Sequence, residues 1–183
     1  MRIKQYGRKI ISNKEISEII NLMKKDNKNF KYNDVTEIII WNSKLLYKLY
    51  MEFLLETVTV DYIEVMNNTT KAAYHDLKKN IHIYLFNSKI DYMKKYDIKD
   101  QKEMIQSLKL AVTFQISHEF RHNYQTIFAP HKYLQDKINY RFKEWKEHWI
   151  EKDAMKYSRC FMLNNQKRIN DILGIKFKWL LEQ

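Results

Sequence analysis

Proline and glycine, the residues that punctuate a chain, are nearly missing: one Pro and two Gly in 183 residues. Turns draw on both for their special backbone angles, so this scarcity argues against a turn-dense β protein and for long helices. The single cysteine, Cys160, excludes an internal disulfide framework and points to a reducing cytoplasm. In a helical stretch it reads as a small packing residue and not as a nucleophile. No run of 18 apolar residues occurs, so no membrane-spanning helix is expected. The opening Met1 to Tyr6 lacks the apolar core of a secretory signal. No zinc-finger spacing, RNA-binding signature, internal repeat or linker is visible either.

What is present is the composition of a packed domain, 45% hydrophobic and 14% aromatic. The length predicts one domain, 1–183, large enough for a proper core. The formal net charge is +11. Its Lys and Arg are spread through Lys24-Lys25, Lys78-Lys79, Lys94-Lys95 and Arg141 to Lys152, as on a solvated face. The excess favours acidic partners, nucleic acid among them, but nothing sharpens that into a binding motif.

Ser12 or Asn13 can cap a first helix with Ile16, Ile19, Ile20 and Met23 on one face. Lys24 to Asn33 reads as a polar loop. Ile38-Ile39-Ile40 fits strand or helix, and the reading taken is helix, continuing through Leu45, Leu46, Leu49 and Phe53. From Thr57 the period shortens: Val58, Val60, Tyr62 and Ile63 suit a strand, with Asn67-Asn68 as a turn. Thr70 to His75 and Ile81 to Phe86 read as two more strands. Gln101 to Phe128 has no Gly or Pro and carries Met104, Leu108 and Ala111 on one helical line, with Pro130 as a stop signal. Tyr133 to Trp149 and Glu151 to Leu173 are further helical stretches. Gly174 caps the last, and Phe177, Trp179 and Leu180 dock a short tail.

Late in the 101–128 helix stands His118-Glu119-Phe120-Arg121-His122, the His-Glu-x-x-His pattern. Residues four apart share a helix face, so His118 and His122 can offer two imidazole nitrogens to one zinc ion. Glu119, a quarter-turn away, can take a proton from a water held there, as the general base of a metalloprotease. A shuffled chain of this composition shows the pattern roughly one time in a hundred, so context has to support it. A buried helix supplies part of that context, because polar groups there need partners.

A catalytic zinc takes three protein ligands and leaves one position open. Glu151, in helical sequence 29 residues after His122, is the leading candidate for the third. Glu147, one turn earlier, and the downstream His148 and His131 compete with it. Glu151-Lys152-Asp153-Ala154, followed by Tyr157-Ser158, together with the His-Glu-x-x-His helix, resembles the gluzincin metallopeptidases, most of all their compact ImmA/IrrE-like branch. The resemblance covers roughly Thr70 to Met162. It departs at Met155, where that branch usually has Asn or Asp orienting a metal ligand.

The resemblance implies a minimal zincin-like fold. This would be α+β, a mostly helical single domain with a helical part over 1–56. Over 57–183, a small three-stranded sheet would pack on the active-site helix, followed by the Glu-x-x-Ala helix. It implies an intracellular zinc metallopeptidase with His118, His122 and Glu151 as metal ligands and Glu119 as catalytic base. His148 and Tyr157 are the leading candidates to stabilise the transition state, with Tyr140 and His131 behind them. The partner is a protein or peptide substrate, such as a bacterial or phage regulator. The rival expectation is a basic nucleic-acid-binding or inhibitor protein whose motif is accidental or inactive.

Overall fold

The protein is described from a computed structural model, over residues 1–28, 30, 33–57, 59–89, 100–139, 147–177 and 179. The elements, in chain order, are β1 (Arg2–Tyr6), α1 (Asn13–Asp26), β2 (Glu37–Trp41), α2 (Lys44–Phe53), α3 (Val60–Met66), β3 (Ala72–His75) and β4 (Asn80–Tyr84). Then follow α4 (Gln101–Phe128), α5 (Pro130–Ile138), α6 (Trp149–Asn164) and α7 (Gln166–Leu173). The architecture is mostly helical around one small sheet, as expected. That sheet has four strands, not three, in the order β1-β2-β4-β3. β1, β2 and β4 run parallel, and β3 is the antiparallel edge.

The two unforeseen strands lie in 1–56, so that part is not purely helical. The isoleucine triplet is the central strand β2, and every one of its five residues is buried. Ile38 and Ile40 enter the main core, while Ile39 and Trp41 enter a smaller cluster on the other face of the sheet. A parallel strand covered on both sides reads as a continuous apolar run, which hides the two-residue period. The reverse error lies at 57–63. Thr59 accepts a hydrogen bond from the Tyr62 N–H and caps α3, with Asp61 in its first turn. Tyr62, Val65 and Met66 then share a face against the small cluster. The β-branched run suggested a strand, but cap and helical spacing prevail. Val58 lies outside the described residues.

α1 has the foreseen face of Ile16, Ile19, Ile20 and Met23, and Ser12 with Glu15 forms a reciprocal capping box. α4 spans its expected residues. Asp100 caps it by accepting from the Lys102 N–H, and Pro130 ends it while serving as the first residue of α5. The 151–173 stretch is two helices broken at Asn165, whose side-chain amide donates to the Phe161 carbonyl. Gly174 closes α7 in the left-handed conformation, and Trp179 is buried against the core. Leu180 lies outside the described residues.

The main core lies between one sheet face and α1, α4, α6 and α7. α4 packs most extensively on α6 and also lies against β3 and β4. No described helix is long and apolar enough to cross a membrane.

Candidate metal centre

α4 buries a long list of polar residues in its C-terminal half: Gln115, Ser117, Glu119, His122, Asn123 and Gln125. Buried polar groups need partners: His122 and Gln125 meet each other and Gln125 reaches α6, while Gln115 donates to Ser88 and Asn123 to Asp34 and to the Tyr74 hydroxyl. His118, Glu119 and His122 bring ligand atoms within 4.8 Å of one another, a group that could hold a metal ion. Glu151, in the first turn of α6, lies closer still. His118 Nε2 stands 3.2 Å from its Oε2 and 3.1 Å from His122 Nε2, and His122 Nε2 is 3.6 Å from Glu151 Oε1. Ligands at about 2.1 Å from a tetrahedral ion lie about 3.4 Å apart, so the spacing of these three groups suits one small cation. The Glu119 carboxyl is buried beside them without a place in that triangle.

A neighbouring side chain aims one of the two imidazoles. His122 Nδ1–H donates to Gln125 Oε1 at 2.9 Å, leaving the Nε2 lone pair for the triangle. The Gln125 amide in turn donates to the Ile150 carbonyl (2.9 Å) and to Asp153 Oδ2 (2.8 Å). Asp153 is held by Arg121 in a two-pronged ion pair of 2.7 and 3.0 Å. His118 has no such support: its Nδ1 is buried and has no hydrogen-bond partner. Met155, one turn beyond Glu151 on the same helix, offers only a weak thioether acceptor.

α6 is itself anchored at the site. Its first turn has no cap of its own. Asp136 of α5 supplies one, accepting from the Ile150 N–H at 2.9 Å and from His148 Nδ1 at 3.3 Å. The carboxylates of Asp136 and Glu151 both sit where the helix dipole favours negative charge.

Electrostatics differ sharply within the group. Burial pushes Glu119 up to about 7, helped by the charge of Glu151 and opposed by His118 and the Tyr74 backbone. Burial, with the charge of His118, lowers His122 to about 4. For His118, burial alone would lower the value, but the hydrogen bond to Glu151 and the charges of Glu119 and Glu151 outweigh it and raise it. Burial would raise Glu151, and its bond to His118 with the two imidazole charges lowers it instead. One carboxyl thus titrates near neutrality while its neighbour stays ionised.

The edge strand β3 runs beside this group. The Tyr84 N–H donates to the Lys71 carbonyl, which fixes 71, 73 and 75 as the positions bonded to β4. Ala72 and Tyr74 therefore turn their backbone groups outward.

The other residues singled out from sequence fall elsewhere. His148 is fully buried at the start of α6, held by Asp136. Tyr157 contacts the Arg121 guanidinium, Phe161 and Asn27, away from the triangle. Glu147 and His131 are exposed, and Tyr140 lies outside the described residues. Gln125, Asp153, Arg121 and Asp136 were not foreseen. Gln125 could have been, since a residue three after a helical His shares its side of the helix. Compared with known proteins, the chain matches no family model, no curated protein and no solved structure.

Proposed function

We propose that this chain is a zinc-dependent metallopeptidase that hydrolyses a peptide bond in an intracellular protein. One observation carries the reading: two imidazole nitrogens and the Glu151 carboxylate converge at 3.1–3.6 Å, with a second carboxyl, Glu119, buried alongside. An accidental motif gives no reason for a carboxylate from another helix to close on both imidazoles.

The donor set of two nitrogens and one oxygen suits zinc, and His118, His122 and Glu151 would hold it. Bound there, zinc would polarise a carbonyl and lower the pKa of water toward neutrality. Glu119 is the proton carrier. With its carboxyl near 7, it can accept the proton of the attacking water and return it to the departing amine at neutral pH. Gln125 keeps His122 in the tautomer that binds metal. An extended peptide would add to the sheet at the outward backbone of Ala72. The same four site residues carry the resemblance to the gluzincin peptidases of the ImmA/IrrE-like branch, which favours a regulatory protein as substrate.

Metal analysis of the purified protein tests the site. One zinc per chain supports the reading, and none, even after zinc is supplied in excess, sinks it. A chelator should lower the melting temperature of the loaded protein, because metal that binds only the folded state stabilises it by mass action. Comparing proteins cut by the parent and by Glu119→Gln would then identify the substrate.

A further inference from the structure

α2 presents an anomaly on the far side of the sheet from the metal centre. Tyr47 and Met51 face inward and pack with Trp41 and Tyr84 in the smaller cluster. At 100° per residue, the opposite side of the helix carries Leu45, Leu49 and Phe53, with Leu46 and Tyr50 beside them. A surface helix should show charge there. Instead Leu45 is 64% exposed, Leu49 51% and Phe53 84%.

The chain just after α2 adds a second departure. Leu55 is 86% exposed and adopts φ +57°, the left-handed region usually left to Gly or Asn after a helix. A leucine kept at both a conformational and a solvation disadvantage points to a use for its side chain. Leu45, Leu49, Phe53 and Leu55 are all more than half exposed within one short stretch of chain, and clustered exposed apolar side chains of this kind mark interaction surfaces.

We infer that α2 is a self-association surface, pairing antiparallel with α2 of a second copy. The sequence of the helix is self-complementary under a two-fold axis near Tyr50. Leu45 then lies opposite Leu55, and Leu46 opposite Leu54. Lys48 lies opposite Glu52, twice. In the single chain these two charges make only an exposed intrahelical pair at 3.6 Å, free to be shared across a dimer. Local charge also favours this face. The chain carries +11 overall, which repels its copies, but 43–56 holds two Lys and two Glu and is neutral. An isologous contact of this kind closes on itself and leaves the metal centre of each copy open.

Light scattering on the full chain decides it. At about 100 µM the parent should show twice its 22.6 kDa monomer mass, dissociating on dilution. The double variant Leu49→Glu, Phe53→Glu should stay monomeric with unchanged circular dichroism, because both side chains are exposed. Lys48→Glu alone should weaken the dimer at least tenfold, and Lys48→Glu with Glu52→Lys should restore it. A parent monomeric at every concentration overturns the inference and hands the patch to a different protein. A dimer that survives the double variant, or fails to respond to the charge swap, places the contact on another face and overturns it as well.

Discussion

α4 and α2 break the same rule in opposite directions. α4 buries a glutamate, a histidine and three side-chain amides where apolar residues belong, and α2 exposes leucines and a phenylalanine where charges belong. Each departure is locally unfavourable, so each marks a place where the fold serves something besides stability. They differ in what resolves the conflict. The buried polar groups of α4 find partners inside the chain, except for His118 Nδ1 and Gln115 Oε1. The outer apolar side chains of α2, Leu45, Leu49 and Phe53, stay more than half exposed.

The contrast breaks most sharply at Glu119. Replacing it by Gln keeps shape and burial but removes the base, so peptide hydrolysis should fall about 10²–10⁴-fold with zinc stoichiometry unchanged. Equal cleavage by the variant, measured as product formed per minute, would show that α4 buries this carboxyl for some other reason.

The same substitution should act on stability in the metal-free protein, with a definite sign. Glu119 has a folded value of about 7 against an ordinary 4.5, so between these values the folded state keeps a proton the unfolded chain has released. Stability therefore falls as pH rises through that window, by the order of 3 kcal/mol, and stays reduced above it. His122, lowered to about 4 from 6.5, acts oppositely: its contribution is present above 6.5 and lost as pH falls toward 4. Because His122 is common to both proteins, it cancels when they are compared. Urea unfolding near pH 5 and pH 8 should find Glu119→Gln more stable than the parent only at the higher pH.

Gln125→Leu tests the support of His122. Losing the acceptor for Nδ1–H should weaken zinc binding about 10–100-fold, read by competition with a chelating dye. Met155→Asp is the converse. If it supplies the acceptor His118 lacks, it should tighten zinc by a smaller factor, since a further buried charge offsets the gain. A Gln125→Leu protein that binds zinc as tightly as the parent, beside a parent that does bind it, would remove Gln125 from the site without touching the metal assignment.

The smallest effect is expected on α2. Leu45→Lys should change the stability of the monomer by no more than about 0.5 kcal/mol, as for other exposed positions. A loss several times larger would mean that this face is covered within the chain after all, and the contrast with α4 would vanish.

The helix of 101–128, the capped first helix, the strands β3 and β4, the glycine cap at 174 and the His-Glu-x-x-His spacing were legible from local features alone. All depend on residues within a turn or two of each other, where period and capping chemistry decide. Glu151 could be named as a candidate but not separated from Glu147. The choice between them depends on how α6 is set against α4, through Asp136 and the Gln125–Asp153–Arg121 chain of bonds. The strand at Ile38–Ile40 was beyond local reasoning because its character comes from being covered on both faces, a property of the neighbours and not of the segment. Nor could periodicity separate the apolar side of α2 that is buried from the one left in solvent. A helix apolar nearly all round looks the same in sequence either way, and only the position of the sheet decides which side is covered.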